Sequence, residues 1–421
     1  MKKNIPTLIF ILISIVGYSQ TTINAGNVSG TWSKAGSPYL VQGDINVLAG
    51  QKLTITEGVK VEFQGAYRLR VYGSIQALGK TNDTVIFTPK DKNVGWKGII
   101  VYKNNPTDDS IIFNNARFEF SKNFTYSFKT DTGVLHIQDN DKTAFSNVVF
   151  FKNMGSRYTC LRMTNSTFNM QNCYFMQNQA LDDRVNGDNS GLSCITLTSC
   201  IGIINNTKFI SNKSWNPNNP NDSATGQAGS ACSFGSSNLT ISNCLFDSNY
   251  ATTAAPALAI IGTNSKISID NCNFTNNFSR EGYTLNCYFE SNPNNQVALN
   301  NCLFDNNVSR KVGPGFPTND IFMYSKSATG NSMKIYNTKF TNSRFISVQT
   351  FEQGSMSFYN CVWENNDVQY GCVNAGRYGI VNLYNCRITN NANGIYVFQT
   401  GKVNIYNSLV AFNGSDEDTL R

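Results

Sequence analysis

The stretch ISNCLFDSN, residues 241–249, decides the reading of this chain, because variants of it recur between residues 115 and 413. Aligned on Asn243, the variants include MQNCYFMQN ending at Asn178, INNTKFISN at Asn212, IDNCNFTNN at Asn277 and LNNCLFDNN at Asn307. IYNTKFTNS, FYNCVWENN, LYNCRITNN and IYNSLVAFN follow. The shared pattern is apolar, any residue, Asn, then Cys, Thr or Ser, any residue, a large apolar residue, and Asn again three positions later. The first Asn returns every 22 to 37 residues, which is a solenoid period.

Side-chain alternation places that Asn on a corner. In VALNNCLF, Val297, Leu299, Cys302 and Phe304 can share one face only if the strand bends at Asn301, because uninterrupted period two would group Leu299 with Asn301 and Leu303. Asn tolerates the left-handed backbone such a bend needs. Asn147, Asn172, Asn206, Asn243, Asn271, Asn301, Asn337, Asn360, Asn385 and Asn407 are therefore expected to stack as an amide ladder. The residues after them, from Cys173 to Ser408, are small and face inward, and a stripe from Phe150 through Trp363 to Val410 fills the core. Upstream of each corner lies another apolar run, such as ALAII at 257–261 or IYVF at 395–398. Three short strands per turn predict an all-β parallel β-helix, right-handed because parallel crossovers nearly always are. Roughly a dozen coils would give a rod ~60 Å long.

Residues 1–19 read as a secretory signal peptide: Lys2 and Lys3, the apolar run TLIFILISIV, then Gly17 and Ser19 before the cut. The chain is expected to be secreted, extracellular or at the cell surface, with no transmembrane segment. Its net charge of +7 falls to about +5 once Lys2 and Lys3 are removed, and only 14% of residues are charged. That balance, without a basic block, does not point to nucleic acid. Residues 20–38 are expected to cover the N-terminal edge, 39–114 to form the first coils with clean period-two alternation, 115–413 to carry the Asn repeats, and 414–421 to be a tail. The repeats end without a recognisable cap, which predicts a partner or a further domain at that end.

Coils of 22, 23 and 25 residues are bare, whereas those of 34, 37 and 36 carry insertions at 179–191, 213–230 and 308–320. Loops inserted at equivalent corners project from one edge and would wall the neighbouring sheet. Twelve cysteines in an exported chain suggest disulfides, but most alternate with Thr or Ser at an inward slot. Buried thiols are the main expectation, with Cys194–Cys232 among the more plausible bridges.

The N-terminal alternation and the Asn repeats together resemble the right-handed parallel β-helix proteins of the pectate-lyase-like superfamily, over nearly all of the chain beyond the leader. FMQN, FISN, FDSN, FTNN and FDNN are also similar to the FxxN repeat of polymorphic outer membrane adhesins, although the companion GGAI element is missing. The resemblance implies work on glycans or host surfaces. Pectin hydrolases of this fold carry an Asn-Thr-Asp, an Asp pair and a His-Gly. Here the single histidine, His136, is followed by Ile137, so that chemistry is not expected.

A lyase would need a basic residue as proton acceptor and often a calcium ion to neutralise the uronate. Arg184, with Asp182, Asp183 and Asp188 in LDDRVNGD, and Asp222 on the next insertion, supply that chemistry. Neighbouring carboxylates favour the charged guanidinium, which opposes Arg184 as a base. Outside the core, Tyr336, Tyr359, Tyr384 and Tyr406 precede the corner Asn in four successive coils and form an expected outward aromatic strip for sugars or a partner protein. Trp215, on the 213–230 insertion, joins the tyrosines, Asp182, Asp183 and Asp222 as a candidate ligand contact. The leading expectation is a non-catalytic surface that binds a polysaccharide or cell-surface glycan and needs no cofactor. The alternatives are a polysaccharide lyase, with Arg184 as its base and calcium as its ion, and a structural stalk.

Overall fold

The computed structural model describes residues 20–102, 110–123, 133–156, 158–181, 193–215, 231–252, 255–280, 282–290, 292–309, 319–326 and 330–414. These build a right-handed parallel β-helix of three long sheets with 15, 14 and 14 strands, each coil adding one strand to each sheet. A shorter sheet of seven strands, from Lys122–Asn123 to Val308–Ser309, sits between the first and second sheets in the middle coils. It was not anticipated from the three-strand reading. At about 4.8 Å per coil, fifteen coils make a rod about 67 Å long. The first strands of the three long sheets, Thr21–Ile23, Gly26–Asn27 and Gly30–Trp32, come from the 20–38 segment, and Trp32 stacks on Tyr39.

Register keeps like residues above like. Phe209 lies opposite Phe246, Phe246 opposite Phe274, and Phe274 opposite Phe304. The rings form an unbroken column from Phe87 to Trp363, with centroids 4.5 to 5.2 Å apart and planes within 18° of parallel. All ten rings are fully buried. The column joins hydrophobic burial to offset aromatic stacking, each contact adding about 0.5 to 1.5 kcal/mol beyond burial. Thr338 is buried and Lys339 exposed, as the proposed strand phase requires.

Every named corner Asn has φ between 46 and 56°, in the left-handed region, at the passage from the third sheet to the first. Asn206 donates to Asn172 at 2.7 Å, Asn271 to Asn243 at 2.6 Å and Asn407 to Asn385 at 2.7 Å on the rod's outside, but the expected ladder is interrupted where Asn243 and Asn337 donate to Asn205 and Asn300 instead. The buried ladder is formed by the second Asn of each repeat. Asn212 donates its side-chain amide to the Phe175 carbonyl of the preceding coil and to Asn249 Oδ1, which also accepts from the Asn212 backbone. The same three bonds recur at Asn153, Asn178, Asn249 and Asn277, ending on Asn307. Buried amides satisfied in this way avoid the penalty of unpaired polar groups. A third, smaller series of Asn and Ser side chains holds the corner between the second and third sheets, where Ser166, Ser237, Asn295 and Asn331 each accept a backbone N–H from the preceding coil.

All twelve cysteines are buried and free. Buried thiols were the main expectation, and the alternative Cys194–Cys232 bridge does not form, because the register sets Cys232 against Ile195. Burial pushes the Cys173 thiol up to about 12, so it behaves as a small apolar filler.

Candidate functional site

Asp182, Asp183, Arg184, Asp188 and Asp222 lie outside the described residues. Trp215 ends a strand of the short sheet, Lys213–Trp215. Among the described residues no group of three or more His, Cys, Asp and Glu is placed to hold a metal ion. His136 sits on the second sheet, between Ile100 and Arg162 of the adjacent coils.

The tyrosines do come together. Strands Ser332–Tyr336, Ser355–Tyr359, Ile380–Tyr384 and Lys402–Tyr406 of the third sheet pair in register and end on a tyrosine directly before the left-handed Asn. The ring centroids are 4.8, 4.8 and 4.7 Å apart, with interplanar angles of 13, 7 and 6°. Tyr336, Tyr359 and Tyr384 are half-buried, and Tyr406 is 49% exposed. Rings touch at roughly 3.5 Å, so these are slipped against one another and each leaves an edge and part of a face uncovered. The strip therefore presents a row of ring edges rather than one open ring face. Desolvation by the stack, followed by the nearby Tyr406 and Tyr359 phenols, raises the Tyr384 phenol above its ordinary value.

Polar columns flank the rings on both sides. Two residues back on each strand, Lys334, Ser357, Asn382 and Asn404 stand in register, with Asn404 donating to Asn382 at 2.8 Å and Asn382 to Ser357 at 3.2 Å. On the other flank are the exposed corner amides, where Asn360 donates to Asn337 at 3.2 Å. Beyond them Glu364 bridges Lys339 and Arg387. Its neighbouring cations hold this half-buried carboxyl below its usual value, the Lys339 hydrogen bond first. The Lys/Ser/Asn column was missed in the sequence. Its signal is the polar residue two before each tyrosine in KIY, SFY, NLY and NIY.

Asp320 is the buried carboxyl with a strongly altered affinity for its proton. Burial raises it from its ordinary 3.8 to about 7, against hydrogen bonds from Ser343, Ser347 and Asn307 that favour the charged form. Such a group in a cleft is a frequent mark of catalysis. Here the adjoining cleft measures about 10 Å³, room for one water and not a sugar. Its position explains it better: Ser343 replaces Asn in the buried ladder between Asn307 and Asn366, and the Asp320 carboxyl fills the space the shorter side chain leaves.

No family model matches the chain. A segment of 61 residues is 36% identical to Protein bark beetle of Drosophila melanogaster, covering 14% of this chain and 2% of that protein. The catalytic domain of a GH87 alpha-1,3-glucanase in complex with tetrasaccharides superposes with a TM-score of 0.51 at 10% identity, over 89% of this chain and 65% of that one. The Streptococcus pneumoniae surface protein and adhesin PfbA matches with a TM-score of 0.30 at 11% identity, over 92% of this chain and 88% of that one. The chain thus spans less than two thirds of both the fly protein and the glucanase domain. At these identities the likeness to the glucanase is one of fold: the chain is a right-handed parallel β-helix.

Proposed function

We propose that this chain is an extracellular, non-catalytic β-helix that binds a glycan along the tyrosine column of its third sheet. The observation that carries this reading is the row of four slipped, solvent-facing phenols flanked on both sides by amide and hydroxyl columns. Carbohydrates present apolar C–H faces edged with hydroxyls, so aromatic edges beside fixed hydrogen-bonding groups complement them. A rod that repeats every ~4.8 Å offers the same contact several times over, suiting a polymer better than a monosaccharide. The GH87 glucanase of the same fold is seen with tetrasaccharides, which supports a glycan as the ligand class. The leader at 1–19 supports export, and attachment to a surface through that glycan makes the chain adhesive.

Screening the chain on a glycan array, with and without calcium, tests this reading. Selective binding to a set of oligosaccharides, reduced in Tyr359→Ser/Tyr384→Ser, is expected. A blank array under both conditions would leave the stalk reading in its place.

A further inference from the structure

We propose that a second site, separate from the tyrosine column, binds a polyanionic polysaccharide in a lysine-lined cleft where the first sheet turns into the short sheet. The cleft measures about 460 Å³, within the range of ligand sites. Lys92, Lys122, Lys152 and Lys213 line it. Strand register explains the alignment: Lys122 pairs with Met154, Met154 with Gln179, and Gln179 with Lys213, so two of the lysines fall in one column of the short sheet. Lys152 occupies the corner beside that column.

Two observations mark these lysines as poised for a ligand. Elsewhere on the rod many cations have a carboxylate partner, as in Lys34–Asp83, Lys80–Glu57, Lys326–Glu290 and Arg377–Glu352. Lys92, Lys122 and Lys152 form no ion pair among the described residues. The neighbouring acids are engaged: Glu119 accepts from Arg117 at 2.6 Å and from Thr88 at 3.1 Å, and Asp91 accepts the Asn93 backbone N–H at 2.7 Å. Aromatic rings and a carbonyl hold the ammonium groups instead. Lys92 Nζ lies 4.4 Å from the Phe120 centroid and Lys152 Nζ 5.1 Å from Phe151, while Lys122 Nζ donates to the Asn93 carbonyl at 2.9 Å. These contacts orient positive charge without cancelling it.

The second observation is the backbone. Phe120 and Lys152, both lining the cleft, hold φ of 54° and 50°. That conformation is costly for residues of their size; Gln177, Ser211 and Ser248 take the equivalent position in the next coils, and Asn at Asn276 and Asn306. Bulky residues there aim a ring and a cation into the cleft.

The chemistry selects a polymer of acidic sugars. The charges are strung over successive coils rather than gathered around one point, so they fit anionic groups repeated along a chain better than a single phosphate. Met154 and Phe120 give apolar surface between them, and Gln177 and Gln179 offer amides for hydroxyls. A single-stranded nucleic acid would need open aromatic faces for its bases. The Phe120 face is taken by Lys92, and its ring meets Phe151 at 80°.

Affinity electrophoresis of the full chain through gels containing polygalacturonate, dextran sulfate or neutral dextran tests the assignment, with a single-stranded oligonucleotide as competitor. Retardation is expected in one or both polyanions, which separates carboxylate from sulfate recognition, and not in neutral dextran. It should weaken as salt rises and fall at least tenfold in Lys122→Glu/Lys152→Glu, with Lys122→Gln/Lys152→Gln intermediate and all melting temperatures unchanged. Tyr359→Ser/Tyr384→Ser should leave it intact, so this site and the tyrosine column stand or fall separately. Equal retardation of the charge-reversed protein, no retardation in either polyanion, or displacement by the oligonucleotide at lower concentration than by free polyanion would overturn the proposal.

Discussion

Phe274 and Lys339 are both strand residues of the first sheet, but one is sealed between two rings and the other faces water. Phe274→Ala removes two stacking contacts and leaves a cavity in the column, at an expected cost of ~3 to 5 kcal/mol. Lys339→Ala gives up an exposed ion pair with Glu364 and should cost under ~1 kcal/mol. Urea denaturation of the two variants checks this, and equal losses would place the strand phase in error. The two asparagines of each repeat separate in the same way. Asn249→Ala takes two donor bonds from the buried ladder and strands the Asn212 backbone N–H, so ~2 to 4 kcal/mol is expected. Asn243→Ala faces water and loses mainly its ease in the left-handed region, ~1 kcal/mol. Amide hydrogen exchange at Asn212 should accelerate in the first variant and not in the second. The left-handed Asn was legible because its backbone need is local. Which Asn is buried was not, since both recur equally often and only the depth of the two corners distinguishes them.

Along the ladder as an element, the break at Ser343 concentrates the pH response. Asp320 binds its proton more tightly folded than unfolded, so its contribution to stability is complete below about pH 4 and is lost as pH climbs through about 7. About 1.4 kcal/mol per pH unit sets a ceiling of roughly 4 kcal/mol on that loss. Asp320→Asn keeps the shape, supplies the ladder's own residue type and cannot ionise. Thermal melts are expected to show the variant close to the parent at pH 4.5 and more stable by ~2 to 4 kcal/mol at pH 8. Parallel curves across that range would mean that Asp320 is not the titrating group. The plug was illegible in sequence because Asp320 and Ser343 lie 23 residues apart and meet only through coil register. The tyrosine strip was legible because one residue type holds one place in four consecutive repeats, whereas the lysines of the cleft are scattered over coils of unequal length.

As a whole, the molecule is a stiff rod whose core was written in its repeats and whose insertions were legible only as insertions. If the loop carrying Arg184, Asp182 and Asp183 made the chain a lyase, incubation with polyuronates and calcium would yield an unsaturated product absorbing in the ultraviolet, abolished by Arg184→Ala. The account of a binding rod expects no such absorbance. The most direct test is calorimetric titration of the strongest oligosaccharide from the glycan array into the parent chain and into Tyr359→Ser/Tyr384→Ser. The tyrosine column predicts at least a tenfold rise in Kd, about 1.4 kcal/mol, in a variant still folded at the assay temperature; an unchanged Kd would contradict it.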